Sequence, residues 1–336
     1  MIGVAGIGFD HRASSDSTPD FSGGRIVVLP PLITNFALVS HAANRVSGTS
    51  PAGLMVLRRE ILARIFPSLL DMPLMTDSSY APNLEMMLAA RPAIIFASAQ
   101  AAEMRRLGLN VADLAAHQGA EPMARLFLKG IGKADWISGA IDEFHRRQAS
   151  LDDELSTTCA DDRKPRVLIL GIYSGADLIS GGALSPFNEI IAHAGGENAL
   201  ADMHVNVARL DPEALLTLDP DVLVFGEGVD AYGLSPSQIM KNPKFRPLHA
   251  IARKQIYQQP NMWSVPNSLV ELPIYERWLA ELLHPCLSKK TRKMVADAYR
   301  AASGQDLSEE LIDIELSVAP NLNSAEGTRF SRTRAD

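Results

Sequence analysis

Two stretches of this chain, 128 positions apart, are written in the same grammar. Residues 83–96 read NLEMMLAARPAIIF and residues 211–224 read DPEALLTLDPDVLV. Each opens on a good helix-capping residue, Asn83 or Asp211, and carries an acid two places on, Glu85 or Glu213. Each then runs apolar, meets a proline (Pro92, Pro220) and passes into a buried-strand pattern. A side chain that satisfies first-turn N–H groups, an acid at the positive helix end and a terminating proline together mark a short helix. A helix delivered straight into an apolar strand is half of a βαβ unit. Its recurrence predicts two lobes of similar build.

The rest of the chain fits that frame. Arg25–Leu29 (RIVVL) reads as a buried strand bounded by Pro30 and Pro31, Asn35–Asn44 as a helix, and Arg45–Gly48 as the start of a second strand. Ala93–Ala97, Arg166–Gly171 and Asp221–Phe225 are further strands. Gly132–Thr158 contains no proline and sets Trp136, Ile137, Ile141, Phe144, Leu151 and Leu155 at helical spacing. That predicts one helix of about 25 residues, roughly 38 Å long. The expected class is α/β, two Rossmann-like lobes with mainly parallel sheets joined by a single long helix. The boundaries read as a disordered lead-in (1–24), an N-terminal lobe (25–131), the linking helix (132–160), a C-terminal lobe (161–317) and a disordered tail (318–336).

Composition narrows the function classes. Hydrophobic residues at 46% and charged residues at 21% suit a globular chain with a sizeable core. No apolar run approaches the roughly 18 residues of a membrane span. A net charge of −7 without a basic stripe argues against a nucleic-acid partner. Cys159 and Cys286 lack CxxC spacing, which argues against a zinc ribbon or a disulfide-stapled scaffold. Met1–Phe9 is apolar but has no basic n-region, so as written it is not a competent secretory signal.

Catalytic signatures fail one by one. Asn188–His193 (NEIIAH) resembles a zinc-protease helix but has Asn where the first ligand belongs. Gly132-Lys133 lacks the earlier Gly and the following Ser/Thr of a phosphate loop, and no GxSxG elbow occurs. The eight histidines are dispersed. Nothing here commits to catalysis, and the chain reads as a non-enzyme.

Six phrases, in order, resemble a known family. They are RIVVLPPLITNFALVSHAANRVSGTS (25–50), PNLEMMLAARPAIIFAS (82–98), LSPFNEIIAHAGGENALAD (184–202), LDPEALLTLDPDVLVFG (210–226), FRPLHAIARKQIYQQP (245–260) and ERWLAELLHP (276–285). Each is degenerate alone. Together they resemble the solute-binding proteins of ABC importers for iron-siderophores, haem and cobalamin, periplasmic binding proteins with a helical backbone.

The resemblance implies a ligand cleft between the lobes and no cofactor of the chain's own. It implies as ligand a metal chelate carrying Fe(III) or another metal, an iron-siderophore first, with haem, cobalamin or a molybdate-type oxyanion as alternatives. It also implies a monomer in the periplasm or at the cell surface, with an ABC permease and its ATPase as partners. Glu85 and Glu213 match the acids that dock onto permease arginines. Tyr80, Tyr173, Arg209, Glu227 and Trp263 are the candidate ligand contacts. They lie on loops after strands or just before helices, where ligands bind in parallel α/β sheets. Tyrosine and tryptophan supply flat walls and a possible ferric ligand, and arginine an anion clamp. Aromatic residues are only 6% of the chain, little for an extended cage. The reading from another class is a metal-dependent enzyme on the same architecture, with His193, His204 and Glu227 as ligands.

Overall fold

The computed structural model describes residues 23–55, 59–77, 79, 81–98, 101–159, 163–172, 178–226, 236–262 and 265–332. Among the described residues, ten strands fall into two sheets, one in each half of the chain. The first takes β1 (Ile26–Val28), β2 (Val46–Thr49), β3 (Ile94–Ala97) and β4 (Val111–Asp113) in the order β2-β1-β3-β4, all parallel. The second takes β5 (Arg166–Ile172), β6 (Leu178–Gly181), β7 (Glu197–Asn198), β8 (Val207–Leu210), β9 (Val222–Phe225) and β10 (Ile256–Gln258). Its order is β10-β9-β5-β6-β8, with β7 also paired to β5.

That second sheet is mixed. β10, β9, β5 and β7 run parallel, whereas β6 is antiparallel to both β5 and β8. The reason is length: only residues 173–177 separate β5 from β6, too few for the crossover a parallel partner needs. Both sheets are covered on both faces, as short apolar runs such as IVV and VLVF require. Side chains alternate accordingly. Ile26, Val28, Ile94 and Phe96 enter the main core with Val167, Ile169, Val222 and Val224. Val27, Ile95 and Ala97 enter a smaller cluster outside the first sheet, and Leu168, Leu170, Leu223 and Phe225 one outside the second.

The repeated grammar produces repeated structure. Asn83 caps the Leu84–Ala90 helix through a hydrogen bond from the Met86 N–H, and Asp211 caps Pro212–Leu218 through one from the Ala214 N–H. Each helix stops at a left-handed residue directly before the proline, Arg91 (φ 46°) and Asp219 (φ 39°).

The linking helix is continuous over Ile137–Thr158, after a 3-10 turn at Ala134–Trp136. It starts later than position 132 because Gly132 is left-handed (φ 76°), a turn conformation rather than a helical one. Ile137, Ile141, Phe144 and Leu151 form its buried stripe. The Glu271–Leu283 helix is buried along its whole length, and the next, Thr291–Ser303, packs on Ile33–Ser40 of the first lobe.

Two expectations are corrected. Cys159 and Cys286 form a disulfide, with Cα atoms 6.1 Å apart, joining the end of the linking helix to the turn after Glu271–Leu283. Linear spacing carried no sign of this, because the fold alone closes the 127-residue separation. Residues 318–332, expected to be a disordered tail, form a short helix (Val318–Asn321) and a series of turns packed on the second lobe. Phe330 is buried with its ring 6.1 Å from that of Trp278, and the buried Arg329 donates to the carbonyls of Pro285 and Leu287. The polar composition hid a few well-placed anchors.

Candidate functional site

A parallel sheet presents its ligand-facing loops at the carboxyl ends of its strands. In the first lobe, the chain leaving β1 turns at Pro30-Pro31 and is pinned by two fully buried hydroxyls. Thr49 Oγ1 donates to the Val28 carbonyl at 2.7 Å, and Ser50 Oγ donates to the Leu29 carbonyl. In the second lobe, the Gly226 N–H donates to the Leu170 carbonyl at 2.7 Å and the Gln259 N–H to the Phe225 carbonyl at 2.9 Å. The Gln258 amide donates to both the Phe225 and Gly226 carbonyls. These bonds fix the carboxyl ends of β1, β5, β9 and β10.

Of the five candidate ligand contacts, Tyr80, Tyr173, Glu227 and Trp263 lie outside the described residues. Arg209 is described: it is exposed on β8, the outer strand, opposite Ile179 of β6. β6 and β5 stand between it and β9, so at the usual strand spacing it sits roughly 14 Å from the Gly226 end. The described residues therefore do not bring Arg209 to the root of the Glu227 or Trp263 loop.

A cavity of about 980 Å³ opens between the lobes. Residues 118–122 and Arg125 line it from the first lobe and residues 183–186, Glu189 and His193 from the second, with Phe144 and Gln148 of the linking helix and Pro266-Asn267 between. Asn267 fastens the lobes here. Its carbonyl accepts from the buried Asn35 side chain at 2.7 Å, and its Oδ1 accepts from the Gly119 N–H at 2.8 Å. Beside it, the buried Glu276 carboxylate accepts from Gln148 Nε2 at 3.1 Å and meets His193 Nδ1 at 3.0 Å. That hydrogen bond raises the His193 pKa above its ordinary value, against the opposing effect of partial burial. Neither Asn267 nor Glu276 was legible as a site residue, since a lone polar residue in a helical or turn pattern carries no spacing signal. The cavity lining mixes apolar side chains such as Leu184 and Leu272 with hydrogen-bonding groups such as Gln118, Glu189 and Glu276.

Among the described residues no group of three His, Cys, Asp or Glu could hold a metal ion. His193 is engaged by Glu276, His204 is exposed on a loop, and Glu227 lies outside the described residues. Glu85 and Glu213 are both exposed, each in the first turn of its capped helix, one per lobe.

Two α/β lobes joined by one long helix, with the carboxyl ends of their strands pinned by hydrogen bonds, make up the fold. Residues 140–262 match the family model described as periplasmic binding protein, in line with the resemblance carried by the six phrases. The fold agrees over most of the chain. A periplasmic solute-binding protein from Veillonella parvula aligns with a TM-score of 0.72 at 20% identity, covering 89% of this chain and 93% of that one. The molybdate periplasmic binding protein of Haemophilus influenzae, bound to molybdate, aligns at 0.69 and 20% identity, over 87% and 96%. CeuE of Helicobacter pylori, in a nickel–histidine complex, aligns at 0.63 and 17% identity, over 85% and 92%. No curated protein matches the chain in sequence.

Proposed function

We propose that this chain is the substrate-binding component of an ABC importer, working in the periplasm or at the cell surface. In this reading it captures a small metal-containing molecule and hands it to a membrane permease, whose ATPase supplies the energy. The observation that carries it is the pair Glu85 and Glu213: two exposed acids, identically placed on two identically capped helices, one per lobe. A carboxylate in the first turn is favoured by the helix dipole and, when exposed, is available to a cationic partner. Two such points orient a two-lobed body over a two-fold permease.

The ligand class in this reading is a metal chelate, an iron-siderophore first. Similar folds bind molybdate and a nickel–histidine complex, both metal-containing. Tyr80, Tyr173, Glu227 and Trp263 are the proposed contacts, with Arg209 as an anion-facing residue at the rim.

The test uses the double variant Glu85→Gln, Glu213→Gln with two assays side by side. Titration with a ferric catecholate chelate, haemin and molybdate should find one probe bound equally by wild type and variant. Transport in vesicles carrying the cognate permease should drop sharply in the variant, since neutralising one partner of a charge pair removes most of its coupling. Normal transport would mean the acids only complement their helix dipoles, and binding of none of the three probes would overturn the ligand class.

A further inference from the structure

β10 is an outer strand of the second sheet, and residues 259–262 follow its carboxyl end. An outer strand leaves a row of backbone groups unpaired. Here that row is filled from the C-terminal segment. The Asn321 side chain behaves as a surrogate strand residue: its Oδ1 accepts from the Gln258 N–H at 2.7 Å, and its Nδ2 donates to the Gln258 carbonyl at 2.9 Å. Both residues are buried. One step toward the cleft, Ser317 Oγ donates to the Gln259 carbonyl at 2.7 Å, and the Asn261 N–H donates to the Glu315 carbonyl at 2.7 Å. Ser317 sits in the left-handed region (φ 50°), a costly conformation for a residue with a Cβ and one that persists only where surrounding contacts enforce it. On its other side Gln258 reaches Gly226, the last described residue before the Glu227 loop. One buried amide pair therefore braces the carboxyl ends of β9 and β10.

We propose that Asn321 and Ser317 are positioning residues that hold the 258–262 segment in its ligand-ready geometry, so that ligand affinity is set from the C-terminal strap. This rests on the reading of the residues beyond Gln258 as part of the cleft wall. The bonds satisfy backbone groups that are otherwise buried and orphaned, so their loss should let the segment open locally while the sheet behind it persists.

The experiment compares Asn321→Ala and Asn321→Asp with Ser324→Ala. Ser324 lies on the same strap but donates to the Ile256 carbonyl, at the end of β10 away from the cleft. The first readout is amide exchange in the absence of ligand. Asn321→Ala should accelerate exchange at Gln258, Gln259 and Asn261 and leave Val222–Phe225 protected, whereas Ser324→Ala should act only around Ile256. The second is affinity for whichever of the ferric catecholate chelate, haemin or molybdate the wild type binds. Asn321→Ala loses both hydrogen bonds and should weaken binding about tenfold, mostly through a faster off-rate; Asn321→Asp keeps the acceptor for the Gln258 N–H but loses the donor to its carbonyl and should weaken binding less, with Ser324→Ala close to wild type. Uniformly faster exchange, or affinity that merely follows melting temperature across all three variants, would overturn the proposal. A wild type that binds none of the probes while exchange stays local would overturn the ligand reading and leave the strap's positioning role supported.

Discussion

His193 and Glu276 show what one contact adds to the lobe junction. Glu276 is buried on a helix with no exposed face, and the half-exposed His193 imidazole meets it at 3.0 Å. Asp152 and Glu189 also face that ring and favour its charged form. Because folding raises the His193 pKa above 6.5, its contribution is complete below about pH 6.5 and is lost as pH rises through the folded value. Melting temperature measured against pH should therefore separate His193→Asn from wild type in mild acid and bring the two together above neutrality. Parallel curves would show that the charge plays no part. A second residue-level expectation concerns fluorescence. Trp278 is wholly buried in the core, and Trp136 lies at the start of the linking helix with Lys133 Nζ 3.7 Å from its ring centroid. Quenching by a cleft ligand should then come from Trp263, and Trp263→Phe should remove most of it. A quench that survives intact would place the ligand elsewhere.

Among the elements, the linking helix is bound more firmly to the second lobe than its apolar stripe alone requires. Glu154 accepts from the buried Arg277 through both oxygens, at 2.8 and 3.0 Å, and from Lys290 and the Ser288 N–H. These donors, Arg277 foremost, hold the Glu154 carboxyl well below the usual carboxylate range. A depressed acid contributes stability above its unfolded pKa near 4.5 and loses it as pH falls toward the folded value. Glu154→Gln should cost about 2–3 kcal/mol by urea unfolding at pH 7, where a charged hydrogen-bonding group is lost. The gap should be smaller at pH 3. Just beyond this network the Cys159–Cys286 bond closes the same junction. Replacing both cysteines with serine should lower stability by about 2–4 kcal/mol without moving ligand affinity. Helix caps, the strut and the parallel strands were legible because each is specified by neighbouring residues: Asn83 and Glu85, Asp211 and Glu213, the 137/141/144/151 stripe. The disulfide, the Asn267 clasp and the Asn321 brace were not. Each joins residues 63 or more positions apart, through single side chains that obey no period.

At the scale of the whole molecule, the strut and the Asn267 clasp both limit how far the lobes travel. A continuous helix of 22 residues resists bending, unlike a pair of extended crossover strands. Ligand binding should change the radius of gyration only slightly in solution scattering, and a large compaction would show that the strut is not the hinge-limiting element. The main core runs without interruption from Ile26 and Phe96 through the linking helix to Val167 and Trp278. Anyone redesigning specificity by recombining halves of related proteins would cut through that shared interior and leave two incompatible surfaces to repack. Loop grafting at the strand ends, above roots such as Ser50 and Gln258, leaves it whole. New specificities in such a scaffold are reached by exchanging its rim, not its halves.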